Sequence, residues 1–368
     1  MKKRETVSSW QMATLLLAFM TGSTIINIPA PLVSLAKNGA WLSIVFGTGI
    51  GMLFLSCILY LHRQYPGLTL VDYSRKVLGK WLSIVIILPF LIFVQVWVPG
   101  MVIDIGGFFA GSMLRETPSY VIYVVILFTS ALTARAGIEV MARMFVILLY
   151  SMFFFTFLVI SFDMPNYHPE NLLPVLPQGL KPVIHGTYYL LGFPYGELIL
   201  FSMLLPFVSK ETEKSLGKYM FGAVLTSGIS LIIVVLSSIM AFGPLADNLN
   251  YSLYRLARIV EIADIIERIE SIVGISLIAG SYMKTTIVLF VLNLALSQFL
   301  KLKDDRILIF PLTLTSFLLT LVMFESRAEF IVYISEIWPL LNFVAGVSPI
   351  LFITIVTIFK NKSLKKIV

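Results

Sequence analysis

The chain has 368 residues, 58% hydrophobic and only 13% charged, with a formal net charge of +7. A soluble domain carries about 25% charged residues, and with a mean hydropathy of +0.94 this chain is excluded as a soluble globular enzyme. The single cysteine, Cys57, excludes an internal disulfide framework and a cysteine-rich metal site, and its apolar surroundings are those of a small core hydrophobe.

A hydrocarbon core of about 30 Å needs about 20 apolar residues per helix. Ten segments qualify: 10–36, 40–61, 82–114, 119–134, 141–162, 185–207, 219–243, 271–298, 307–324 and 328–358. The expected class is therefore an all-α integral membrane protein with one polytopic domain over 1–368. The opening "MKKRETVSSW" is basic, but the apolar stretch after it is too long for a signal peptide and lacks a small-residue cleavage site, so it is expected to stay attached. The third segment holds Pro89, Pro99 and the pair Gly106-Gly107, which predicts a tilt or kink. Before it, "LVDYSRKVLGK" (70–80) reads as a weak amphipathic helix on the inside. Residues 163–184 are proline-rich and read as an ordered, irregular outer loop. Residues 251–270 place Leu256, Ile259, Ile262, Ile266 and Ile269 at helical spacing, which predicts an amphipathic helix on the outer surface.

With the N-terminus inside, 19 of the 27 Lys and Arg fall in inside loops and tails. Seven fall outside: Lys37, Arg115, Lys181, Arg255, Arg258, Arg268 and Arg327, while Lys284 lies within the eighth helix. This positive-inside bias puts both termini on the cytoplasmic side. It also accounts for the pI of about 9.3 without a nucleic-acid partner.

Two segments are interrupted at their middles. The first carries "MTGSTIINIPAPL" (20–32) and the sixth "LLGFPYGELILF" (190–201). Such residues free backbone polar groups that lipid cannot satisfy, so each interruption must be buried in protein or line a cavity. The first and sixth of ten helices match if the chain is two five-helix halves of opposite orientation, about 10–162 and 185–358, and paired breaks of this kind point to a transporter-type site. At the first break an outer half-helix starting near Asn27–Pro29 would present N–H groups to an anion. Carbonyls near Gly22–Ser23 and Gly192–Phe193 would favour a cation. Together they suit a zwitterionic α-amino acid, with no metal, cofactor or catalytic triad required. The alternative for each break is a simple kink.

The sequence resembles the B subunits of the spore germinant receptors, a branch of the amino acid–polyamine–organocation transporter superfamily. The resemblance spans essentially the whole chain and rests on "GSTIINIP", "TLVDYSRKVLGK", "GFPYGELILFSMLLPFV" and "LARIVEIADIIERIESI". It implies the LeuT-like five-plus-five inverted repeat, residence in the spore inner membrane, and an A subunit and a lipoprotein C subunit as partners. It implies recognition of a nutrient germinant, often an L-amino acid. By position, Gly22, Ser23, Thr24, Ile25 and Ile26, with Phe193, Tyr195 and Glu197, would line the pocket.

Four ionisable residues lie within helices: Asp104, Glu197, Lys284 and Glu336. Such residues usually face the bundle interior. Glu197 would either accept a ligand ammonium or cap the backbone freed by its break. Lys284 would either stand where sodium-coupled relatives bind the ion, or pair with Glu197 or Asp104. Asp104 and Glu336 lie nearer the outer ends, where a structural role is favoured, and Asp104 joins Lys284 as a gating or coupling candidate. His62 and His168 read as loop residues and His185 as a helix start, none a ligand. Beside the receptor reading stand a proton-coupled amino-acid permease and a scaffold subunit that binds nothing.

Overall fold

Ser8 begins the first membrane span by capping it: its hydroxyl accepts from the Gln11 N–H while the Gln11 side chain accepts from the Ser8 N–H, a reciprocal cap that contributes about 1 kcal/mol. The computed structural model describes residues 5–249, 251–259 and 270–365. The first span is α1 (Ser9–Thr21), α2 (Thr24–Asn27) and α3 (Pro29–Ala36), then α4 (Ala40–Gln64) returns. Next come α5 (Leu70–Ser112), α6 (Ser119–Ala136) and α7 (Ile138–Phe162). The sixth span is α8 (Lys181–Leu190), an irregular stretch over Leu191–Leu200, and α9 (Phe201–Leu204). After α10 (Leu216–Phe242) and the short α11 (Ser252–Ile259) come α12 (Glu270–Leu300) and α13 (Ile309–Val322). The tenth span is α14 (Arg327–Val332), α15 (Trp338–Asn342) and α16 (Ser348–Lys365), separated by two π-type turns at Tyr333–Ile337 and Phe343–Val347.

Among the described residues, nine of these spans are long and apolar enough to cross a membrane, and α13 is a shorter apolar helix. The first, sixth and eighth spans are the most enclosed, at 78–83% buried along their apolar windows, so their polar residues face protein rather than lipid. Within α5, Gly79 adopts a non-helical φ +78, which glycine tolerates; the predicted amphipathic segment 70–80 and the third span are thus two helical stretches that meet at a kink there. His62 corrects the loop reading. It lies buried in the last turn of α4, with Nε2 3.3 Å from Glu213 Oε1.

Both chain faces are tied across long sequence separations. On the N-terminal face the Val7 N–H donates to Phe207 and the Ser209 N–H to Val7. Glu5 accepts from the Ile138 N–H and pairs with Arg306. On the opposite face, the proline-rich loop is anchored where the His168 N–H and the Asn171 amide both donate to the Met240 carbonyl. Of the predicted 251–270 helix, α11 is described: Leu253, Leu256 and Ala257 are buried, whereas Arg255, Arg258 and Ile259 are exposed. Residues 260–269, with Ile262, Ile266 and Ile269, lie outside the described residues.

Candidate functional site

The two breaks are built differently. In the first span the helical ladder stops at Gly22 and resumes where the Asn27 N–H donates to Ser23 at 3.0 Å and Ile28 to Thr24 at 3.0 Å. The second half-helix therefore starts at Thr24, a turn earlier than the expected Asn27–Pro29. Gly22 meets α12 backbone to backbone: a Cβ there would sit 2.6 Å from the Gly280 carbonyl oxygen, and a Cβ at Gly280 would strike the Gly22 backbone. Small residues permit this close approach of membrane helices.

In the sixth span Phe193 is extended, with φ −157 and ψ 114, in the middle of the π-type stretch Leu191–Tyr195, which runs into a tight 3-10 stretch over Gly196–Leu200. The Gly192 carbonyl, expected to be open to a ligand, accepts from the buried Asn342 amide of α15 at 2.8 Å. A ligand cannot also have that donor's place. Asn342 was not singled out from sequence; a lone Asn between Pro339 and Gly346 in an apolar run was its only signal. Glu197, released onto the cavity side of the break, forms an ion pair with Lys284 of α12, both side chains 1% exposed. The Lys284 ammonium also lies 3.7 Å from the Phe193 ring centroid and 5.1 Å from that of Phe19, a desolvated cation–π geometry worth about 2 kcal/mol.

These groups form the floor of a cavity running from fully buried Lys284 to exposed Arg327 at the start of α14. Its volume is about 160 Å³. Ser23, Phe193, Glu197, Lys284 and Asp104 line it, as does Asn27. Asn27 donates its amide to the Asp104 carboxylate, while its own buried Oδ1 has no partner. Trp97 and Trp338 contribute aromatic walls, their rings 5.6 Å apart edge to face, and Tyr189 closes one side. At the mouth, the Arg327 guanidinium donates to the Tyr251 hydroxyl.

Five expected pocket residues are not in this wall. Gly22 is packed on Gly280, and Thr24, Ile25 and Ile26 are buried in α2 away from the cavity. Tyr195 points to α4, where its hydroxyl is 2.6 Å from Thr48 Oγ1 and its ring fills the space left by Gly47 and Gly51. Glu336 is exposed to the side and its carbonyl accepts from Tyr188. Sequence reasoning missed Trp97, Trp338 and Arg327 as wall residues, because two are aromatic residues in apolar helices and the third reads as a loop cation.

The comparisons agree with this architecture. A family model described as spore germination protein matches residues 6–328. The chain is 23% identical to spore germination protein KB of Bacillus subtilis (strain 168), over 98% of this chain and 96% of that protein. Its fold is similar to that of MhsT, solved with L-phenylalanine, at a TM-score of 0.69 and 14% identity over 96% of this chain and 89% of that one. It is also similar to a Na⁺-coupled sialic acid symporter, at a TM-score of 0.67 and 12% identity over 92% of this chain and 79% of that one. The fold is the LeuT-like five-plus-five inverted repeat with broken first and sixth helices, and this integral membrane chain belongs to the spore germination protein family.

Proposed function

We propose that this protein is the membrane subunit of a spore nutrient-germinant receptor, binding a small zwitterionic nutrient, foremost an L-amino acid, in the cavity between the broken helices. One observation carries this reading: the cavity holds an acid and a base that are not paired with each other, in addition to a self-paired acid and base. Asp104, with the unpartnered Asn27 Oδ1 beside it, supplies acceptors for an ammonium, and Arg327 supplies donors for a carboxylate. Glu197 and Lys284 already neutralise one another, so their part is to hold the sixth and eighth spans together across the floor and to shape it. Phe193, Trp97 and Trp338 offer apolar surface to a side chain.

The role proposed is recognition rather than catalysis, at the inner membrane of the spore with both termini on the core side. The partners proposed are the A subunit and the lipoprotein C subunit, with nutrient occupancy as the trigger of germination. The Lys284 ammonium stands in place of a coupling cation, so binding is expected to be independent of sodium. A second reading, a proton-coupled amino-acid permease, is favoured by the transporter architecture itself. The two separate in proteoliposomes given a labelled amino-acid panel with and without a proton gradient. Saturable binding without accumulation supports the receptor, gradient-driven accumulation supports the permease, and no binding of any amino acid contradicts both.

A further inference from the structure

On the face opposite the N-terminus a second cavity, of about 360 Å³, lies beside the first. Four arginines line it: Arg115, Arg255, Arg258 and Arg327. They come from three separate stretches of the chain, and they are four of only seven Lys and Arg that the predicted topology leaves in the loops of this face. Glu270 is the one carboxylate in the cavity wall among the described residues. Like charges gathered around one small space repel, and a bound anion would offset that repulsion.

The surrounding structure holds the arginines on this side. Leu253, Leu256 and Ala257 bury one face of α11 in the bundle, which leaves Arg255 and Arg258, three residues apart, together on its exposed face. Gly107 leaves room on α5 for the Arg327 guanidinium, and Gly111 has no atom within 4 Å of where a Cβ would stand, so the α5 side of the cavity is open. Tyr251 belongs to both cavities and forms the partition with Arg327. Its left-handed backbone, φ +56, is uncommon for a tyrosine and sits where the partition needs it.

We propose that this arginine-lined cavity is a second ligand site, for a small oxyanion carrying two or more charges. Planar guanidinium groups match such oxyanions with paired N–H donors. Free phosphate and a phosphoryl lipid headgroup share that chemistry. The site shares Arg327 and Tyr251 with the nutrient cavity, whereas Arg115, Arg255 and Arg258 line the second cavity alone.

The test is thermal unfolding of the full chain in neutral detergent, titrated with inorganic phosphate and, separately, with anionic phospholipid. Sodium chloride at matched ionic strength is the control. Binding to the native state raises the midpoint with saturation. Saturable stabilisation by phosphate is expected, weakened at least tenfold in apparent affinity by Arg255→Gln with Arg258→Gln, and by Arg115→Gln, but kept by Tyr195→Phe. The pair Arg255→Lys and Arg258→Lys retains the charge without the fork, and is expected to bind more weakly than wild type while folding normally. The same pattern with anionic lipid and not phosphate assigns the site to a headgroup. Equal stabilisation by chloride, full stabilisation in the Gln variants, or no shift with either phosphate or anionic lipid would overturn the proposal.

Discussion

The two interrupted spans look alike in sequence and are used in opposite ways. The first break brings backbone against backbone, Gly22 on Gly280, and contributes to the cavity Ser23 and, further along, Asn27, Ala30 and Pro31. The second break turns a carbonyl toward a buried side chain, Asn342, and a carboxylate toward a buried lysine. Glycine and proline in a membrane helix thus mark where the ladder is interrupted, and the neighbouring helix decides whether the interruption serves packing or electrostatics.

The comparison is broken most severely at the floor. Lys284→Met leaves Glu197 buried without its cation, at an expected cost of about 3–5 kcal/mol; the double variant Lys284→Met with Glu197→Gln should recover most of it. Thermal midpoints of the two variants in detergent check this, and an unrecovered double variant would mean that Lys284 matters for more than the pair. At the first break, Gly280→Ala places a methyl group against the Gly22 backbone, and overpacking of this kind costs about 1–3 kcal/mol. A wild-type midpoint in Gly280→Ala would show that the close contact is not needed. Asn342→Leu removes the donor to the Gly192 carbonyl and is expected to cost about 1–3 kcal/mol.

Smaller effects sharpen the contrast. Tyr195→Phe deletes one buried hydrogen bond, to Thr48, for about 1 kcal/mol, and is expected to leave nutrient affinity unchanged in equilibrium binding. Asp163, just past the end of α7, shows a buried carboxylate whose partner is the Asn166 amide rather than a lysine. Burial raises its pKa from the ordinary 3.8 to about 6, against the lowering effect of the Asn166 hydrogen bond. A carboxyl that holds its proton more tightly when folded stabilises the fold below pH 3.8, and this contribution is lost as pH rises to about 6. Asp163→Asn should therefore flatten the pH dependence of the unfolding midpoint across that window.

The membrane spans and both breaks were legible in the sequence, because apolar length and mid-span Gly, Pro and polar residues are local signals. The charged floor was half legible: Lys284 and Glu197 stood out as intramembrane charges, and their pairing was one of the alternatives the sequence left open. Phe193 and Tyr195 show why the pocket itself was not. They are two residues apart, yet one faces the cavity and the other α4, because an irregular turn has no fixed periodicity from which to project a side chain. Arg327 and Asn342 act on residues more than 70 positions away, and no local pattern announces such partners.

The most direct test is equilibrium binding of a labelled amino acid to the purified chain, comparing Asp104→Asn with Tyr195→Phe. If the cavity between the broken helices is the nutrient site, Asp104→Asn loses at least tenfold in affinity, a change of about 1.4 kcal/mol, and Tyr195→Phe binds as wild type. Loss in Tyr195→Phe with full affinity in Asp104→Asn would contradict the account and move the site to the α4 side of the sixth span.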